Sequence, residues 1–360
     1  MVGQSNTPKP RDCIAKISEF PLAAMIDAPE GAILLNTNES RFGPSPKVYE
    51  ALRQDPATMA LNIYPAAEAY PLNHALAARF GFGEDQVVSV SGGELLIPLA
   101  MQAFAAPGRE VIYFADGFQK FLNYTLMCDA RPVRVDRTRD SVGGILGAVT
   151  PATRVVLIDN PGNPTGKLLS PHEIAAIHAG LPRDVLFLLD EAYIEFSDYG
   201  DGGLDLARST HNTLTFRTFS KAYGLAGLRL GWAAGDAALV NAVKRVIPSF
   251  PIARPSLAGA LAALEDQAHL DWVVGEVRAI RAEATARLAQ AGWDVAPSAA
   301  NFLLIRAGTH HPDAIRKAAV DLRAANILVR LLPNFQGAPA IRMTLGTRAD
   351  MEQVYRVLGC

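Results

Sequence analysis

Cysteine is scarce in this 360-residue chain: Cys13, Cys128 and Cys360 are too few and too scattered for a disulfide framework or a zinc site. Such usage suits a reducing compartment. An excess of charge is also missing, with 34 Lys and Arg against 36 Asp and Glu, so no global field recruits nucleic acid or an anionic membrane. Any anionic ligand must then be held by local groups. No apolar run reaches membrane-spanning length, and the opening MVGQSNTPKPRDC lacks the apolar stretch of a secretory signal. The expectation is a cytoplasmic protein. No internal repeat and no low-complexity tract is visible. His172, His178 and the pair His310 and His311 lack metal-ligand spacing, so no metal is expected. GFGEDQ, residues 81–86, lacks the third glycine and the preceding strand of a dinucleotide-binding turn.

What the chain does have is the composition of a globular fold, 49% hydrophobic and 19% charged. QVVSV, EVIYF, PVRV, RVVLID, VLFLLD, TLTF and LGWAA read as strands, with segments of helical period such as ELLIPLAMQAFA and PHEIAAIHAGL between them. Continuous apolar strands alternating with helices predict an α/β fold with a mostly parallel, seven-stranded sheet covered on both faces. Ligands of such sheets bind at the carboxyl ends of the strands. After PIARPS, residues 251–256, the texture changes. Val273, Val277, Ile280, Ala284 and Leu288 recur at spacings of three and four and predict one long amphipathic helix. NFLLIR, ILVR and AIRMTLG then read as strands, and PDAIRKAAVDLRAA and ADMEQVYRVL as helices, of a smaller α+β domain. The division expected is an N-terminal arm and part of the small domain over 1–40, a large domain over 41–250 and a small domain over 251–360. The arm is proline-bearing and too apolar around ISEFPLAAMI to float freely.

Four sites follow strands directly. In VVSVSGGELLIPLA a strand runs into Ser91-Gly92-Gly93 and a helix begins near Glu94; free N–H groups at such a start form an anion cradle. In LIDNPGNPTGKLLS, two X-Pro steps make a stiff, non-helical segment that presents Asn160 and Asn163 at fixed angles. In VLFLLDEAYIEF, Asp190 ends a strongly apolar strand, where a buried carboxylate needs a cationic partner, and Tyr193 adds a phenol nearby. The last is FRTFSKAYGLAGLRLGW, with Lys221 beside the hydroxyls of Thr218 and Ser220 and with Arg229 in reach of the same anion. Gly224, Gly227 and Gly231 there allow close backbone approach. A lysine amine among cationic or apolar neighbours becomes a nucleophile.

One ligand calls on all four sites. It has a phosphate for the glycine turn, the hydroxyls and Arg229, and a pyridinium nitrogen for Asp190. Its phenolate oxygen suits Asn163 and Tyr193, and its aldehyde suits Lys221. That ligand is pyridoxal 5'-phosphate, whose protonated ring acts as an electron sink.

The motifs NPGNPTG, DEAYIEF and FSKAYGLAGLRLGW, in this order, resemble the class I/II, fold type I pyridoxal-phosphate aminotransferases over nearly the whole chain. LNTNESRFGPSP, NIYP, ILVR and IRMTLGT look most like histidinol-phosphate aminotransferases. The resemblance implies that Lys221 holds the cofactor as a Schiff base, that Asp190 pairs with the ring nitrogen, and that Asn163 and Tyr193 contact the phenolate oxygen. It implies that Phe118 stacks on the ring and that Gly93, Glu94, Ser220 and Arg229 form the phosphate site, joined by Tyr64 of a neighbouring subunit in a homodimer. Arg342 and Arg330 occupy the positions that bind the substrate's acidic groups. The partners implied are a small amino donor, most closely histidinol phosphate, and a 2-oxo acid acceptor such as 2-oxoglutarate.

The chain departs from the family at the substrate side. NESRFGPSP stands where NENPYGPSP is usual, so Phe42 lacks a hydroxyl that would touch a substrate phosphate, and Arg41 is new beside it. Two rival activities share the architecture: an aminotransferase for aromatic amino acids and a threonine-phosphate decarboxylase. A non-catalytic pyridoxal-phosphate sensor would carry a DNA-binding domain ahead of the first motif, where about 40 residues stand here.

Overall fold

The computed structural model describes residues 8–17, 28–53, 60–137 and 140–360, so most of the arm segment ISEFPLAAMI lies outside the described residues. In chain order the strands are β1 (Ile33–Leu35), β2 (Val87–Val90), β3 (Glu110–Phe114), β4 (Arg131–Val135), β5 (Thr153–Asp159) and β6 (Leu186–Asp190). They continue with β7 (Thr213–Thr218), β8 (Gly231–Gly235), β9 (Asp294–Val295), β10 (Phe302–Arg306), β11 (Ile327–Phe335) and β12 (Ala338–Thr344). The expected strands from QVVSV to LGWAA form one seven-stranded sheet in the order β2-β8-β7-β6-β5-β3-β4. β4, β3, β5, β6 and β7 are parallel, while β8 runs antiparallel to both of its neighbours.

Burial on both faces explains why these strands read as unbroken apolar runs. Val155, Leu157, Leu186 and Leu188 turn to one face, against Leu96, Ile97 and Phe121 of the helices Gly93–Phe104 and Lys120–Met127. Their chain neighbours Val156, Ile158, Phe187 and Leu189 turn to the other, against Ile145, Ile174 and Ile177. The period of two along each strand thus serves two cores instead of a core and a surface.

A five-stranded sheet, in the order β1-β11-β12-β10-β9, is built largely from the C-terminal third. β1 is its exception. Residues 33–35 leave the N-terminal region to pair in parallel with β11, Leu34 opposite Leu328. The long helix Gln267–Gln290 buries Val273, Val277, Ile280, Ala284 and Leu288 as the periodicity predicts. β11 runs further than ILVR. It continues through Pro333 to Phe335, and its register with β12 shifts between Leu332 and Phe335, an irregularity that accommodates a residue with no N–H to donate. Arg330, the last residue of the expected strand ILVR, therefore lies within β11, and it faces Arg342 of β12 as its register partner. Among the described residues no helix is long and apolar enough to cross a membrane.

Candidate active site

The glycine turn after β2 converges on the segment after β7. Gly92 has φ 99° and ψ 126°, a backbone that side chains rarely adopt, and a Cβ there would come within 2.8 Å of the Arg229 guanidinium. A Cβ on Gly93 would meet that of Thr218 at 3.0 Å, and one on Gly231 would strike the Gly93 backbone. Close approach is thus what Gly231 permits, and Gly224 likewise abuts the Gly43 carbonyl, whereas Gly227 faces open space. The first N–H groups of the helix Gly93–Phe104 have no intrahelical partner, which makes this turn an anion cradle beside Arg229 and Ser220. Thr218 also shapes the turn. Its hydroxyl accepts the Ser220 N–H at 3.1 Å and donates to the Leu230 carbonyl at 3.0 Å. Glu94, in the helix's first turn, is paired with Lys120 at 2.6 Å and with the Tyr124 hydroxyl.

Asp190 ends β6 with its carboxylate turned to the same cavity. Its Oδ1 accepts the Ala192 N–H at 3.1 Å, and among the described residues no basic side chain comes within ion-pair distance. Burial, reinforced by the neighbouring Asp159 charge, pushes its pKa up to about 7. Glu191, by contrast, turns away and is paired with Arg217 at 3.0 Å. Asn163 offers its amide between two groups: Nδ2 lies 3.5 Å from the Tyr193 hydroxyl, and Oδ1 accepts from Arg342 Nη1 at 2.8 Å. Asn160 is structural, its amide accepting from and donating to the backbone of Leu169.

Lys221 follows β7 and reaches across to the N-terminal segment, where Nζ donates to the Thr37 carbonyl at 3.0 Å. Burial first, then the positive charge of Arg342, lowers its pKa to about 8. Arg342 donates to the Asn36 carbonyl at 2.6 Å, and its Nε is buried without a hydrogen-bond partner. The Tyr193 hydroxyl also accepts from Asn38 Nδ2 at 3.1 Å.

These groups enclose one cavity of about 570 Å³. Gly93, Glu94, Phe118, Asn163, Asp190 and Tyr193 line it, as do Thr218, Ser220, Lys221, Arg229 and Arg342. Arg330 lines a smaller recess of about 50 Å³ that shares Phe118, Asn163 and Arg342 with it. Two expected residues lie outside this cavity: Arg41 grips Asp350 with two hydrogen bonds of 3.1 and 3.2 Å, and Phe42 meets Trp272 edge-on at 5.7 Å. Tyr64, expected to reach a neighbouring subunit's site, stacks on Phe250 at 4.5 Å. Thr37, Asn38, Lys120 and Asp159 also line the cavity, and none had been singled out from the sequence. Of these, Thr37 and Asn38 sit in the LNTNES stretch that carries the family resemblance, and Asn38 adopts a positive φ of 59° that Asn tolerates better than most residues.

The profile of aminotransferase class I and II matches residues 30–358. The chain belongs to that family. Among its curated relatives, histidinol-phosphate aminotransferase of Erythrobacter litoralis is 40% identical over 91% of this chain and 90% of its own. The enzyme of that name from Paramagnetospirillum magneticum is 35% identical over 98% of both chains. A crystal structure of histidinol-phosphate aminotransferase from Sinorhizobium meliloti, in complex with pyridoxal 5'-phosphate, superposes with a TM-score of 0.87 over 99% of both chains at 26% identity.

The site of this class I and II aminotransferase fits pyridoxal 5'-phosphate on its own observations. A buried carboxylate with no cationic partner, beside a second acid, calls for the positive charge of a protonated ring nitrogen. At Gly92 and Gly93 a Cβ would crowd Arg229 and Thr218, so glycine lets this turn, an anion cradle at a helix start, lie directly against Arg229, as a phosphate site requires. Lys221 supplies an amine whose depressed pKa leaves it more often neutral, the form that attacks an aldehyde.

Proposed function

We propose that this aminotransferase moves the amino group of histidinol phosphate to 2-oxoglutarate, with pyridoxal 5'-phosphate held at Lys221. The observation that carries the substrate is the pairing of Arg330 with Arg342 across β11 and β12, next to the Lys221 cavity. Directly opposed residues of an antiparallel pair share a face, so two guanidinium groups stand where a doubly charged phosphate would be gripped. The relatives named histidinol-phosphate aminotransferase, at 35% and 40% identity, support the same reading. Phe42 contributes an apolar edge against Trp272 and no hydroxyl, which leaves phosphate recognition to the arginines.

When bound, the cofactor supplies an electron-withdrawing ring that stabilises negative charge at the substrate Cα. The chain's own groups do the rest. Asp190 holds the proton on the ring nitrogen, and Asn163 and Tyr193 hold the phenolate oxygen. Gly92, Gly93, Ser220 and Arg229 bind the phosphate. Lys221 Nζ would serve as the general base that takes the proton from the substrate Cα; burial and Arg342 keep it neutral more of the time than a lysine in water.

A homodimer belongs to this proposal. Tyr64 is 74% exposed and lies outside its own chain's cavity, with Leu61, Ile63 and Phe250 exposed around it. An apolar patch of this kind suits a second copy whose cavity Tyr64 would complete. Sedimentation should give a dimer, and an active monomer would refute it. For the substrate, a panel of amino donors with 2-oxoglutarate should place histidinol phosphate first. A profile indifferent to phosphate, with phenylalanine or tyrosine ahead, would move the assignment to an aromatic aminotransferase.

A further inference from the structure

Asp159, the last residue of β5, stands beside Asp190, its register partner on β6, at the edge of the cavity. Its two carboxylate oxygens have separate tasks. Oδ1 accepts from Arg137 Nη2 at 2.6 Å, and Oδ2 accepts the backbone N–H of Phe118 at 3.0 Å and that of Asn163 at 2.8 Å. A single atom therefore ties the turn that carries Phe118 to the loop that carries Asn163.

Arg137 is built to keep that atom still. Its side chain is 2% exposed, and the guanidinium reaches Asp116 Oδ1 at 3.2 Å. It also donates to the carbonyls of Asp159 and Lys167, at 3.3 to 3.4 Å, and lies 4.3 Å over the Phe114 ring. The packing leaves no slack, since a Cβ on Gly162 would meet Arg137 at 2.6 Å and one on Gly117 would meet Asp159 at 3.0 Å. Burying a carboxylate is costly unless charge and hydrogen bonds compensate it. Here the compensation also fixes the rotation of the carboxylate, so the position of Oδ2 is not free to adjust.

We propose that Asp159, clamped by Arg137, is a positioning residue of the cofactor site: its Oδ2 sets the separation between the Phe118 ring and the Asn163 amide. This rests on the reading that Phe118 stacks on the cofactor ring and Asn163 meets its phenolate oxygen. Neither Asp159 nor Arg137 needs to touch the reacting atoms. A flat ring placed between the two is held in register only while the two loops move as one body.

The test compares Asp159→Ala and Arg137→Lys with the wild-type full chain by two readouts. The first is backbone hydrogen exchange of peptides spanning 115–121 and 160–168 in the cofactor-free protein. Both segments should lose protection together, by about tenfold in Asp159→Ala and less in Arg137→Lys. The second is the pH midpoint of the visible absorbance of protein loaded with pyridoxal phosphate. Loosening Asn163 weakens its hydrogen bond to the phenolate oxygen, so the midpoint should rise by about one pH unit in Asp159→Ala. Loss of protection in one segment alone, or a lowered melting temperature with both midpoints unchanged, overturns the proposal and leaves Asp159 a structural residue. Should Asp159→Ala fail to fold, Arg137→Lys decides by the same two readouts. A wild-type protein that takes up no pyridoxal phosphate would end the cofactor reading separately, since the exchange result stands without it.

Discussion

The two walls of the Lys221 cavity are made in different ways. On the seven-stranded side each group follows a strand: Asp190 ends β6, Asn163 comes shortly after β5, Lys221 shortly after β7, and Gly93 shortly after β2. Strand ends in a parallel sheet point to one edge, so residues far apart in the chain meet there without special arrangement. On the opposite side the wall is Thr37 and Asn38, from the segment after β1, together with Arg342 from within β12. That wall exists only because the N-terminal strand joins a sheet built from the C-terminal third. One wall is local sequence repeated along a sheet, and the other is a long-range pairing.

The largest effect should come from the first wall. Lys221→Ala is expected to lower transamination by about 10⁴-fold, the upper range for a positioned proton-transfer group. Borohydride should fix the cofactor on the peptide containing Lys221 in the wild type, and a label on any other lysine would contradict the assignment. The pH dependence of that lysine is next. The neutral amine attacks the aldehyde, and with a pKa of about 8 instead of 10.5 its neutral fraction at pH 7 is larger by about 300-fold. Capture of pyridoxal phosphate by the cofactor-free protein, followed by absorbance, should speed up about tenfold per pH unit below 8 and level off above it. A rate that keeps climbing to pH 10 would mean that neither burial nor Arg342 acts on this amine.

Asp190→Asn should keep the cofactor and lose turnover on the order of a hundredfold or more, because a neutral amide cannot hold the ring proton. Near-normal single-turnover rates would remove that role. The recess that adjoins the second wall at Arg342 is tested by Arg330→Ala, which removes one charge-assisted pair of about 1.5 to 3 kcal/mol, a roughly tenfold to hundredfold loss in kcat/KM. The loss should fall on histidinol phosphate and spare a neutral aromatic donor. Equal effects on both donors would show that Arg330 only supports β11. The smallest effect is expected from Arg41→Ala. Its pair with Asp350 is a third exposed on the arginine side, so its loss should lower stability to urea by less than about 1 kcal/mol and leave KM for the donor unchanged. A raised KM would return Arg41 to the substrate site.

Much of the first wall is legible in the sequence. The continuous apolar runs marked all seven strands of the large sheet, and Lys221, Asp190, Asn163 and Tyr193 were found because each stands in a short motif just past one of them. The second wall was legible only in part. Arg342 was found in its motif, but Arg41 and Phe42, which stand out as departures from the resembled family, turn to Asp350 and Trp272 instead of the cavity. Thr218, expected among the cofactor's hydroxyls, lines the cavity with its own hydroxyl engaged by Ser220 and Leu230.

The sequence by itself determined the order of strands and helices, the glycines at tight approaches, and the chemical kinds of the groups that follow each strand. These depend on neighbours a few positions apart, and periodicity and turn chemistry act at that range. Only the tertiary structure decided that β1 pairs with β11, that Asn38 reaches Tyr193, that Arg330 faces Arg342, and that Arg137 clamps Asp159 under Phe118 and Asn163. Each is a contact between distant parts of the chain, chosen by which partner is buried beside it, and burial is a property of the folded whole that no short stretch of residues carries.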